Sequence, residues 1–215
     1  MRAVRSLVLV VVTSGVLSGC FTGQRPRFSE TSATVNDPAI AAVVGKLDTP
    51  LTSAFTATYE ILTKFGDVTT QASVSSNGLS DVSVTIGSVR FIFQGPLVQT
   101  CELSTSTCTT TIDDALVSDK SLTHDFYAAS PAARIRQDAL VATGTAIAST
   151  ATYGDQTATC AQINFAGGNV KKYCALDSGL LAFQDTPDLR ITLLSLASSA
   201  DPSLFTTTSS TVVGS

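Results

Sequence analysis

From Phe55 onward the chain alternates. Phe55, Ala57, Tyr59 and Ile61, with Phe65 beyond them, are separated by Thr56, Thr58, Glu60 and Lys64. A period of two predicts a strand with one buried and one wet face. Ala72 and Val74 continue the pattern after a Gly66-Asp67 turn. Val82, Val84 and Ile86 then alternate with Ser83 and Thr85, and strands over 89–93 and within 97–111 follow. Asn77-Gly78 is a strong hairpin signal, because the favoured two-residue turn needs positive φ at its centre. Gly87-Ser88 predicts a second tight turn or a bulge. One-sided alternation of this kind belongs to antiparallel sheets, which keep one face on the core and the other in water.

Two segments break the period. Asp37-Pro38 reads as an N-cap and a first helical residue, and Ile40, Val43, Val44 and Leu47 fall at i, i+3, i+4 and i+7. A short amphipathic helix is therefore expected, ending between Gly45 and Pro50. Between Ile112 and Gly144 the alternation stops. Residues 113–117 and 122–127 predict short helical turns. Ser130-Pro131 predicts a longer helix, capped by Ser130, with Ala132, Ile135, Ala139 and Leu140 on its apolar stripe. Alternation resumes at Ala146 and runs to Leu196 through turns at Gly154-Asp155, Gly167-Gly168 and Asp177-Ser178-Gly179. Strands, helices, then strands predict an α+β domain built on an up-and-down antiparallel sheet, with the helices covering one face.

The N-terminus carries a different signal. Arg2 and Arg5 precede an apolar run, Leu7 to Val12 with Val16 and Leu17, that Thr13, Ser14 and Gly15 interrupt. It is too short to span a hydrocarbon core of about 30 Å and has secretory-signal architecture. Leu17-Ser18-Gly19-Cys20 resembles the lipobox of bacterial lipoproteins. That resemblance implies cleavage before Cys20, acylation of Cys20, and anchoring at the extracytoplasmic face of the cell membrane or in an envelope beyond it. Each buried CH₂ of an acyl chain contributes about 0.8 kcal/mol, so two or three chains hold stably. The expected organisation is a signal peptide over 1–19, a tether over 20–36 with a reach of roughly 20 Å, one domain over 37–205, and a flexible tail over 206–215.

Four cysteines remain, and export makes disulfides the default state. Cys160 and Cys174 are equidistant from Gly167 in a hairpin-turn sequence, which would set them opposite one another on two strands. Cys101 and Cys108 flank Ser104-Thr105-Ser106 in the same way. These two pairs are the expectation. Zinc would need an unusual spacing, and His124 is the only histidine, so no metal is expected.

Without Arg2 and Arg5 the chain has 11 basic against 17 acidic residues. A dispersed negative balance argues against nucleic acid and against a polybasic membrane patch. Abundant Ser and Thr read as solvated strand faces. Enzyme chemistry finds little footing. His124-Asp125 lies near Ser121 and Ser130, yet no nucleophile-elbow sequence surrounds either serine. Asp113-Asp114 suits a helix start through the dipole. Gly167-Gly168 opens no helix and so reads as a turn. Arg134 and Arg136 read as a solvated helix face, with a grip on an anionic head group at a cavity mouth as their other role. No catalytic residue and no cofactor are expected.

From Phe55 to Phe205 this order of elements resembles the LolA-like, lipoprotein-localisation fold and the mycobacterial lipid-carrier lipoproteins of the LprG and LppX type. The local stretches that carry the resemblance are Ala158-Thr159-Cys160 and Lys172-Tyr173-Cys174-Ala175-Leu176-Asp177-Ser178-Gly179-Leu180. It implies an antiparallel half-barrel whose helix-covered concave face leaves a cavity for acyl chains. On that basis the chain would be a membrane-anchored carrier of lipid or another apolar ligand. The alternative is a solid-core envelope module that binds a protein partner, because one apolar pattern lines a pocket or fills a core equally well. No ligand-binding position transfers residue by residue.

Overall fold

A computed structural model describes residues 35–78 and 80–206. The expected signal peptide, Cys20 and most of the expected tether lie outside the described residues, as does the tail from 207. The elements are α1 (Pro38–Leu47), β1 (Ala54–Thr63), β2 (Val68–Asn77), β3 (Val82–Ile86), β4 (Val89–Gln94), β5 (Leu97–Glu102), β6 (Thr107–Thr109), α2 (Ala129–Val141), β7 (Ile147–Tyr153), β8 (Gln156–Asn164), β9 (Val170–Leu176), β10 (Leu181–Asp185) and β11 (Leu189–Ala197). A 3-10 segment, Asp114–Lys120, precedes α2, and another, Pro202–Phe205, follows β11.

All eleven strands share one open antiparallel sheet, ordered β6-β5-β4-β3-β2-β1-β11-β10-β9-β8-β7. Two meanders grow outward from a central seam at which β1 pairs with β11. The segment 110–146, which holds α2, therefore leaves the β6 edge and must return at the opposite, β7 edge. It crosses the sheet and covers it.

Period-two alternation becomes the concave core face. Ala57, Tyr59 and Ile61 of β1 sit beside Val74, Val84 and Phe91, and all six are wholly buried. Helix α1 lays Ile40, Val43, Val44 and Leu47 on the core, and α2 contributes Ala132 and Ile135. The Asp37 carboxylate caps α1 by accepting from the N–H groups of Ala39 and Ile40, at 2.9 and 3.2 Å. Its other oxygen accepts from Ala146 N–H at 2.8 Å, just ahead of β7. One side chain thus ties the first helix to the last edge strand.

Gly179 is a position where only glycine fits. Its φ is +91°, and a Cβ would lie 2.7 Å from the carbonyl oxygen of Thr49. The β9–β10 turn consequently nests against the end of α1, and Lys46 pairs with Asp177 beside it.

Several expectations change. Phe65 lies in the turn after β1 and is 92% exposed, because the strand ends at Thr63. Ser130 is not the cap of α2: the helix starts two residues earlier than expected, behind Ala128, which makes no side-chain capping bond. Leu140 faces solvent at 72% exposure, and the buried stripe instead runs Ala132, Ile135 and Asp138. Val35 already packs on the core, ahead of the expected boundary at 37. Thr206 is tied in as well, its carbonyl accepting from Arg90 at 3.3 Å.

The Ser/Thr-rich convex face is only partly solvated. The stretch after β11 straps β1 to β3, with Thr56 Oγ1 donating to Ser199 O (2.8 Å), Asp201 N–H to Ser75 Oγ (2.9 Å) and Ser83 Oγ to Leu204 O (2.5 Å). Ser75 and Ser83 are fully buried and hydrogen-bonded, as most buried hydroxyls are.

Candidate functional site

Two regions compete as the functional site: the space between α2 and the sheet, and the outer edge of β7.

The first is closed by polar as well as apolar contacts. Asp138 of α2, 6% exposed, accepts from Tyr173 Oη at 2.7 Å and from Lys171 Nζ at 2.6 Å, both on β9. Burial, reinforced by the Asp138 charge, pushes the Tyr173 phenol well above its ordinary value, so it donates throughout the physiological range. Lys171 also lies 4.9 Å from the centre of the Phe165 ring. Farther along, Leu181 N–H donates to Tyr127 O at 2.7 Å, and Phe126 meets Tyr59 edge to face at 5.2 Å. The Tyr59 hydroxyl is buried without a hydrogen-bond partner. Beneath the start of α2 lies a cavity of about 10 Å³, walled by Leu122, Phe126, Pro131, Leu189 and Ile191, with Ser121, Ser130, Arg134 and Gln184 as its polar lining. Such a volume admits about one water.

His124 is held by Asp114 rather than Asp125. Its backbone N–H donates to Asp114 Oδ1 at 2.7 Å, and its Nδ1 lies 3.0 Å from Oδ2. Phe91 and Phe93 flank the ring at 5.9 and 5.3 Å. Asp125 instead accepts from Thr123 Oγ1 at 2.6 Å. Among the described residues neither Ser121 nor Ser130 hydrogen-bonds to the imidazole. Asp113 caps the 3-10 segment by accepting from Ala115 N–H, and Arg136 pairs with Asp48.

The cysteines are bonded as Cys101–Cys108 and Cys160–Cys174, each pair opposite in register with Cα atoms 4.0 Å apart. That separation reveals the hydrogen-bond phase of both edges. In antiparallel pairs about 4.5 Å marks residues not bonded to one another, against about 5.5 Å for bonded ones. Cys160 therefore turns its N–H and C=O away from β9 and toward β7, where Ser149 is its partner. Counting along β7, Ile147, Ser149, Ala151 and Tyr153 bond inward. Ala148, Thr150 and Thr152 direct their backbone groups outward. Ile147 to Thr150 are all exposed. The Tyr153 end is pinned by a stack on Phe183 at 4.9 Å and by the hairpin tip at Gly154, which lies against Leu194 of β11. Among the described residues nothing pairs with the middle of the strand.

No protein-family model matches the chain, and no curated protein matches it. Among solved structures, MucB in complex with MucA(peri) is similar at 13% identity with a TM-score of 0.45, over 81% of this chain and 60% of that one. The Pseudomonas aeruginosa MucA/MucB complex gives 11% and 0.45 over 77% and 59%. A LolA superfamily protein from Nitrosomonas europaea gives 11% and 0.29 over 78% and 96%. The chain thus spans about 60% of the length of the MucB chains. The half-barrel architecture is read from this chain's own strand order and register.

Proposed function

We propose that this domain is an extracytoplasmic interaction module that takes an extended segment of a partner polypeptide as an added strand along β7. The observation that carries this reading is the outer edge formed by Ala148, Thr150 and Thr152, unpaired among the described residues and on a strand without charge or proline. Strand addition draws affinity from main-chain hydrogen bonds and specificity from alternate side chains. Two disulfides suit an oxidising compartment, and a lipid anchor at Cys20 would keep the edge near a membrane surface.

The carrier reading asks more of the molecule. Apolar ligand pockets measure about 300–1,000 Å³, whereas the cavity under α2 is about 10 Å³. An acyl chain entering beneath α2 would have to lift the helix and break the Asp138 contacts. A photo-crosslinking side chain at Thr152, compared with one at Thr109 on β6, tests the choice in intact cells. A discrete protein adduct from β7 alone, lost in Thr150→Pro while the melting temperature holds, is the expected result. Stoichiometric lipid in an extract of the purified protein, with no such adduct, would return the assignment to a carrier.

A further inference from the structure

Strand β10 carries a polar side chain on the core face. Its pairing with β9 shifts register between Leu181 and Phe183, so that Leu181 lies opposite Ala175 but Phe183 lies opposite Cys174. The extra residue reverses the parity of the strand. Phe183 turns to the convex side and Gln184 turns inward, between Tyr173 and Ile191, where it is 2% exposed.

The Gln184 carboxamide has no hydrogen-bond partner among the described residues, although buried amides are normally paired. It lines the cavity beneath α2, as do the side chains of Ser121, Ser130 and Arg134. None of those three has a hydrogen bond or ion pair among the described residues either, whereas neighbouring Arg136 is neutralised by Asp48. Four polar side chains that make no hydrogen bond or ion pair among the described residues therefore line one small space. No carboxylate lines it, and the nearest acid along the helix, Asp138, already serves Lys171 and Tyr173.

A guanidinium, an amide NH₂ and two hydroxyls form a donor set for an oxyanion. The cavity sets its shape. With room for about one water-sized atom, one oxygen enters as far as Gln184 and a second stays at the rim. A planar carboxylate meets this requirement, while a tetrahedral phosphate would leave three oxygens outside. We propose that this cavity binds the carboxylate of a monocarboxylic acid, one oxygen accepting from the Gln184 amide and the other from the Arg134 guanidinium. The site is independent of the β7 edge and would exist whether or not that edge is used.

The test follows the side-chain NH₂ resonances of Gln184 in the ¹⁵N-labelled full chain. Butyrate is titrated against phosphate and chloride at matched ionic strength. Saturable movement of these signals with butyrate alone is expected, and Arg134→Gln should weaken it about tenfold, the loss of one charge-assisted contact. Gln184→Leu should abolish binding. Arg134→Gln lies at the rim and keeps the test decisive if the buried variant fails to fold. A capped peptide with a free C-terminal carboxylate, run beside its amide, separates the sources: tighter binding of the acid than of butyrate supports the proposal with a chain terminus as donor, and weaker binding supports it with a free acid. The proposal is overturned if no saturable shift appears by on the order of 100 mM butyrate, a concentration well beyond the millimolar range of weak specific binding, or if phosphate binds as tightly.

Discussion

The two edges of this sheet were finished differently. At one end β6 is three residues long, and a disulfide closes the loop it shares with β5. With Cys101 and Cys108 as a non-bonded pair, Cys108 alone on β6 directs its backbone outward. The chain then folds back, Thr100 Oγ1 donating to Thr111 O at 2.8 Å and accepting from Asp113 N–H at 3.0 Å. Short length and a returning loop are ways in which natural sheets blunt an edge. At the other end β7 runs seven residues with three outward-facing positions and no charge. Among the described residues, edge pairing is suppressed at one end and left available at the other, which is why the proposed partner strand is placed at β7.

The comparison can be broken first at the contacts behind each edge. Asp138→Ala leaves the buried Tyr173 hydroxyl unpaired while Lys171 escapes to solvent, and a loss of about 3–4 kcal/mol is expected by urea unfolding. Thr100→Val, behind β6, removes neutral hydrogen bonds and should cost only about 1 kcal/mol. Equal losses would mean that the two edges are supported alike. Removing the disulfides should separate the ends less. By loop entropy, Cys160→Ser with Cys174→Ser costs about 3 kcal/mol, and Cys101→Ser with Cys108→Ser about 2.5 kcal/mol, since the pairs are 14 and 7 residues apart.

Proline reads the hydrogen-bond phase of β7 directly. Ser149→Pro deletes an inward ladder bond and should lower stability by about 2 kcal/mol, whereas Thr150→Pro removes an outward N–H and should cost under about 1 kcal/mol. The reverse order in thermal melts would place the open groups on the other residues and defeat the edge assignment. The smallest effect concerns Asp37. Burial opposes its ionisation, but the N–H groups of Ala146, Ile40 and Ala39 together outweigh it and hold the carboxyl below its usual value. Its contribution is therefore present above the ordinary carboxylate value near about pH 4 and fades as pH falls through the lower folded value. Asp37→Ala should lose about 1 kcal/mol at pH 7 and show a shallower acid limb than the parent protein.

Much of this fold was legible because its determinants are local. Two-residue turns sit at Gly87-Ser88 and Gly154-Asp155 as read, whereas Asn77 ends β2 and its connection to β3 runs from 78 to 81; both disulfides join strands about a turn. The failures come from tertiary context. Nothing local told Ser130 that the helix would begin at Ala129, or Leu140 that the stripe would drift onto Asp138. The candidate carboxylate site was illegible for a sharper reason: a bulge at Ala182 reverses which residues face inward, and an alternation that continues smoothly through Leu181 and Phe183 gives no sign of it. Nothing in the sequence pattern therefore marks Gln184 as an inward-facing residue. The β7 edge was half visible. Its alternation was plain, but whether an edge is paired depends on strand order, which period cannot supply.

The seam between β1 and β11 has a consequence in time. The first strand of the domain and its last are neighbours, more than 120 residues apart in the chain, and each meander is a sheet with an apolar face until the other arrives. Synthesised from its N-terminus, the chain cannot complete its central pairing until nearly every residue is out. Closure across so long a separation is slow. Were the chain exported as proposed, so late a closure would favour threading through a membrane pore before the central seam forms.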